Sequence, residues 1–73
     1  MKDDFKKHFI LIGNNVREIK IKNGWTQDDL ANRCSVNSAK ISKIENARED
    51  YMMSTLIEIS KALNVSLKEL FNY

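Results

Sequence analysis

Proline is missing from this chain, and glycine occurs only twice, at Gly13 and Gly24. Helical patterning therefore runs on with few interruptions, and no segment alternates with period two for long enough to make a strand. A single cysteine, Cys34, excludes an internal disulfide, and with the lone His8 it offers no metal-ligand cluster. Long apolar runs are lacking too. The longest, Phe9-Ile10-Leu11-Ile12, is far too short to span a bilayer. The basic start is broken by Asp3 and Asp4, and no small-residue cleavage site follows a long apolar stretch, so no secretory signal is read. Catalytic groupings are equally absent. There is no Ser/His/Asp set and no glycine-rich phosphate loop, and the adjacent Asp28 and Asp29 point away from each other, which suits a helix start better than acid–base work. The expectation is a cytoplasmic, metal-free module that is not an enzyme and takes no cofactor or small-molecule ligand.

What is present is the balance of one small soluble domain: 73 residues, 42% hydrophobic and 30% charged. Its formal net charge is only +2, but the distribution is uneven. Residues 1–48 carry ten basic and six acidic side chains, an excess of +4, whereas the remainder carries two basic and four acidic, or −2. A basic front and an acidic back suit an anionic polymer on one face, although a solvated surface has the same look.

Phe5, Phe9, Ile12, Val16 and Ile19 recur at helical spacing and form one apolar stripe that ends near Asn23-Gly24. Gly13 interrupts the stripe at a cost of about 1 kcal/mol relative to alanine, which places the helix start nearer His8 than Phe5. Residues 1–11 then lead into that first helix as an N-terminal extension. Thr26 reads as the N-cap of a second helix with Asp28 and Asp29 in its first turn, ending near Arg33-Cys34. Residues 35–38 leave room only for a tight turn and a cap. The third helix spans about Ser38 to Glu45, with Ile41 and Ile44 facing inward. Residues 46–50 form a polar loop. Leu56, Ile57, Ile59, Ala62 and Leu63 make a fourth helix that stops at Asn64, and Ser66-Leu67-Lys68-Glu69 is a capping box for a short fifth. The fold class is all-α, with five helices in a single domain.

Two short helices separated by a tight turn make a helix-turn-helix, and the physical demands of that unit are met one residue at a time. Ala31 supplies the small side chain where the helices cross. Val36, Ile41 and Ile44 plug the turn and the third helix into the core. Asn37, Ser38, Ala39, Ser42 and Lys43 are left on the outward face, and none is too bulky to enter a major groove.

Together, Thr26-Gln27, Leu30-Ala31, Val36, Ile41-Ser42, Ile44-Glu45-Asn46 and Ile59 through Ser66 resemble the phage-repressor and Cro-type (XRE-like) helix-turn-helix family over roughly Ile12 to Phe71. The resemblance implies a five-helix, lambda-repressor-like fold, sequence-specific binding of double-stranded DNA in the cytoplasm, and a homodimer on a palindromic operator. Carried over by position, Asn37, Ser38, Ala39, Ser42 and Lys43 face bases, while Gln27, Lys40, Asn46 and Arg48 hold the DNA backbone. Lys40 has a second reading, as a flank of the core. Lys43 suits guanine O6 or N7, Asn37 suits adenine, and Ala39 suits a thymine methyl.

The chain departs from the family pattern at several points. Ser35 and Ala47 stand where glycine is common, and a left-handed residue there costs about 1–2 kcal/mol, with Asn46 an alternative holder of that conformation. Lys20 replaces an arginine that pairs with the third-helix glutamate, so a Lys20–Glu45 bridge loses bidentate geometry. Met52 and Met53 stand where a cap is commoner, leaving Asp50 as a substitute N-cap. Trp25 and Cys34 read as packing residues and His8 as solvated; Tyr51 either reaches DNA or lies exposed. Phe5, Phe9 and Ile10 are expected to pack helix one on helix five, and Leu67, Leu70, Phe71 and Tyr73 are the favoured dimer patch, with Phe5 and Phe9 the alternative. A competing function of another class is a protein-interaction module of the same fold that binds a partner regulator.

Overall fold

The 20 residues Asp3–Lys22 form α1, the longest of five helices in the computed structural model, which describes residues 3–48 and 50–72. The others are α2 (Gln27–Ala31), α3 (Ser38–Glu45), α4 (Met53–Leu63) and α5 (Leu67–Leu70), and no strand occurs among the described residues. Tyr73 of the expected dimer patch lies outside them.

Gly13 does not delay α1, contrary to the expected start near His8. The helix passes straight through it because the glycine is a point of contact. A Cβ there would lie 2.2 Å from the Ile44 carbonyl oxygen, so only glycine lets α1 cross the end of α3 this closely. The C-terminus of α1 closes as expected around Gly24, at φ 77. The Gly24 N–H donates to the Ile21 carbonyl at 2.9 Å and the Trp25 N–H to the Lys20 carbonyl at 3.0 Å, satisfying two carbonyls the helix leaves open.

α2 opens with a reciprocal capping box. The Asp29 N–H donates to the Thr26 hydroxyl at 3.1 Å and the Thr26 N–H to the Asp29 carboxylate at 2.8 Å. The helix ends at Ala31, earlier than Arg33-Cys34, because the Arg33 and Cys34 N–H groups turn back three residues, to Leu30 and Ala31. Asn37 caps α3 by accepting the Lys40 N–H at 2.8 Å. Asp50 is not the cap of α4. That position belongs to Met52, with extended backbone and no side-chain bond, since a cap must directly precede the first helical residue. Asn64 ends α4 in the left-handed conformation (φ 59), and the Glu69 carboxylate accepts the Ser66 N–H at the start of α5.

Every helix and the turn between α2 and α3 contribute to one core: Ile12 and Val16, Leu30, Val36, Ile41 and Ile44, Leu56, Ile59 and Leu63, and Leu70. Each fully buried leucine or isoleucine contributes about 1.5–3 kcal/mol relative to exposure. Leu70 is wholly inside, so it cannot belong to a dimer patch; Phe71 beside it is exposed and Leu67 half-buried. The expected packing of Phe9 on helix five is also corrected. Its ring meets Tyr51, in the segment between α3 and α4, edge to face with centroids 4.7 Å apart, and its carbonyl accepts the Tyr51 hydroxyl at 3.0 Å. Beyond the core that α1 shares with Leu70, polar bonds tie it to the end of α5. The Asn15 amide donates to the carbonyls of Leu70 at 2.9 Å and Asn72 at 3.0 Å. Phe5 remains 54% exposed.

Candidate nucleic-acid interface

Ile41, Ile44 and Glu45 bury one side of α3. The helical repeat then turns Ala39, Ser42, Lys43 and Asn46 toward the opposite side, where Ala39, Lys43 and Asn46 are exposed and Ser42 is half-buried. The Asn46 side chain folds back along this face, its amide donating to the Ser42 carbonyl at 2.8 Å. The same nitrogen also approaches the Ser42 hydroxyl at 3.4 Å, while no described residue bonds the side-chain carbonyl.

The other candidate residues take distinct places around that face. Asn37 is exposed at the start of α3, but its side-chain oxygen is committed to the cap. A two-point bond to adenine uses both oxygen and nitrogen, so Asn37 can offer a base only its amide N–H groups while the cap holds. Ser38 is half-buried, and the helical repeat turns it toward the Glu45 side of α3 and off the outward face expected for it. Lys40 is exposed, away from Ala39, in a shallow hollow with Ser35, Ser54 and Glu58. Gln27 and Asn46 meet across an open cleft between the ends of α1, α2 and α3. Arg48 is exposed just beyond Ala47.

The position of α3 is held from two sides. From α1, the Lys20 ammonium donates to both Glu45 carboxylate oxygens at 3.0 Å, with both side chains almost fully buried. Lysine makes the bridge with one nitrogen astride two oxygens, not with the two parallel bonds of an arginine fork. From α4, Glu58 accepts from the hydroxyl and the backbone N–H of Ser35 in the turn. These two bonds, the hydroxyl's first, hold the Glu58 carboxyl below its ordinary value. The Thr26 backbone N–H, then its side chain, do the same for Asp29 at the start of α2.

Among the departures from glycine, Ser35 does not take a left-handed conformation. Ala47 does, at φ 51, while Asn46 stays at φ −100, so the alternative of Asn46 holding that conformation is not realised. Trp25 is half-buried against the core and is covered by the Arg33 guanidinium, 4.0 Å from the ring centroid. Cys34 is half-buried with its thiol donating to the Leu30 carbonyl at 3.3 Å. Tyr51 faces Phe9, so its hydroxyl serves the fold. Sequence reasoning missed Arg17, which lines the cleft with Gln27 and Asn46. The signal was available: Arg17 lies three residues before Lys20, hence on the same side of α1.

A short capped helix, a tight turn clamped to the scaffold, and an eight-residue helix with one buried and one polar face define a helix-turn-helix domain of the DNA-binding kind. The chain belongs to the XRE-like helix-turn-helix family of transcriptional regulators: the family model described as "Helix-turn-helix domain" matches residues 13–73. It is 35% identical over 60 residues to the competence pilus inhibition repressor of Acinetobacter baylyi, covering 82% of this chain and 54% of that one. It is 34% identical over 65 residues to control protein C.BamHI of Bacillus amyloliquefaciens, covering 88% of this chain and 80% of the relative. The chain therefore spans little more than half the length of the first relative. The fold matches the crystal structure of the restriction–modification controller C.AhdI from Aeromonas hydrophila with a TM-score of 0.88, at 20% identity over 93% of this chain and 99% of that one. Among the described residues no helix is long and apolar enough to cross a membrane.

Proposed function

We propose that this chain is a sequence-specific, double-stranded DNA-binding repressor acting in the cytoplasm, where a homodimer reads a palindromic operator by placing α3 of each copy in successive major grooves. The observation that carries this reading is the outward face of α3, where Ala39 and Lys43 are exposed and Ser42 half-buried, opposite the buried Ile41, Ile44 and Glu45. In this reading Asn37, Ser38, Ala39, Ser42 and Lys43 face base edges, and Gln27, Lys40, Asn46 and Arg48 hold phosphates. A two-fold dimer sets half-sites about 34–36 Å apart, one turn of DNA. Exposed Met52, Met53, Ile57 and Phe71 supply apolar surface for pairing, in place of the buried Leu70.

The competing reading, a partner-binding module of the same fold, is favoured by the net charge of only +2. Binding of the chain to its own promoter DNA and to scrambled DNA, at two salt concentrations with its mass in solution recorded, separates the two. Tight, salt-sensitive binding that prefers the promoter, by a dimer, supports the operator reader. Weak binding indifferent to sequence supports the partner-binding module.

A further inference from the structure

The cleft between α1, α2 and α3 holds opposed charges that do not play equal parts. Arg17, Lys20, Gln27, Asp28, Glu45 and Asn46 all line it. Lys20 and Glu45 neutralise each other, with the ammonium held 3.0 Å from both carboxylate oxygens and buried under the cleft. Neither is therefore available to an incoming anion. Asp28 is exposed and works against one. Arg17 is the cation that offsets it: the side chain is exposed and makes no hydrogen bond or ion pair with any described residue. A guanidinium beside two side-chain amides matches the non-bridging oxygens of a phosphodiester, to which arginine can donate two parallel bonds. Asn46 places that anion next to the face that presents Ala39, Ser42 and Lys43, because its own amide is anchored on Ser42.

We infer that Arg17, on α1 and outside the helix-turn-helix itself, binds one backbone phosphate of duplex DNA in this cleft together with Gln27 and Asn46, an inference that rests on the DNA-binding reading above. The contact carries no sequence information. It sets how α1 sits on the duplex and so the angle at which α3 meets the groove.

The test compares wild type with Arg17→Ala and Lys22→Ala, using fluorescence anisotropy of a promoter duplex and a scrambled duplex across a salt series, with circular dichroism to confirm folding. Lys22 is a control of equal charge on the same helix, and it does not line the cleft. Arg17→Ala should flatten the slope of log affinity against log salt by about 0.9 on both duplexes, so that a fourfold rise in salt costs the variant about 3.5-fold less affinity than it costs wild type. Lys22→Ala should keep the wild-type slope. A wild-type slope in Arg17→Ala, or equal flattening in both variants, overturns the inference. Flattening by Arg48→Ala without flattening by Arg17→Ala overturns the cleft alone. Absence of salt-sensitive binding by wild type overturns the DNA reading together with it.

Discussion

Lys20 of α1 and Glu45 of α3 meet beneath the surface, one ammonium against both carboxylate oxygens at 3.0 Å, with side chains 8% and 4% exposed. The pair joins the scaffold helix to the last residue of the helix that would enter DNA. Desolvation weakens the net gain from such a pair, but removal of one member strands the other charge. Glu45→Ala should therefore lower stability by about 3–5 kcal/mol in urea unfolding, while the double change Lys20→Met with Glu45→Leu should come within about 1 kcal/mol of wild type or exceed it. A double variant as unstable as the single one would show that the pair contributes stability in its own right.

Gly13→Ala is the clearest case in which helix propensity and packing oppose each other. Alanine is favoured inside a helix by about 1 kcal/mol. Here its methyl group would sit 2.2 Å from the Ile44 carbonyl oxygen, so α1 and α3 must separate. Packing should win, with a net loss of about 1–3 kcal/mol in thermal or chemical unfolding.

Ala47 holds a left-handed conformation at φ 51 while 5% exposed. Ala47→Gly relieves the clash of its Cβ and gives up little buried surface. A gain of about 1 kcal/mol in unfolding free energy is expected, and a loss would mean that the methyl group's packing outweighs the backbone cost.

Acid should weaken the clamp on the turn. Glu58 titrates below its ordinary value because Ser35 donates to its ionised form, so the stabilisation is present above the unfolded-state pKa and is lost as pH falls through the folded one. Ser35→Ala should melt with a smaller dependence on pH in the acid range than wild type. Part of the acid sensitivity should remain, because Asp29 is lowered by Thr26 in the same sense.

Lys43→Ala and Arg48→Ala should fail differently on DNA. The first should cost about 1–3 kcal/mol and relax reading at one base pair if its ammonium meets a guanine. The second should weaken promoter and scrambled duplexes alike and reduce the salt slope by about one unit. Competition binding against single-base operator variants measures both, and identical profiles would end that division of roles.

Local rules carried the helix-turn-helix. Thr26, Asn64 and Ser66 cap or close helices where the sequence pattern put them, the cap expected somewhere in residues 35–38 falls on Asn37, and Ile41 and Ile44 face inward as their spacing demands. Failures occur where a residue's role depends on a distant neighbour. Gly13 looks like a weak helical residue until Ile44 is beside it, and Leu70 looks like surface apolar area until Asn15 draws the end of α5 onto α1. Asp50 has the right chemistry for a cap and stands two residues too early. Within the candidate site, the outward face of α3 was legible from its period alone. For Arg17 only the side of α1 shared with Lys20 was legible; its place beside Gln27 and Asn46 was not, because the cleft exists only once three chain segments meet.

The bond from the Tyr51 hydroxyl to the Phe9 carbonyl has a consequence for where the functional unit begins. The family's span begins at residue 13, yet Phe9 precedes it and holds Tyr51, three positions after Arg48. The early turns of α1 are thus a splint for Tyr51 and the approach to α4. A version trimmed to residues 13–73 would keep every proposed contact residue and lose the fixture that holds Tyr51, so the proposed DNA affinity should fall before the fold does.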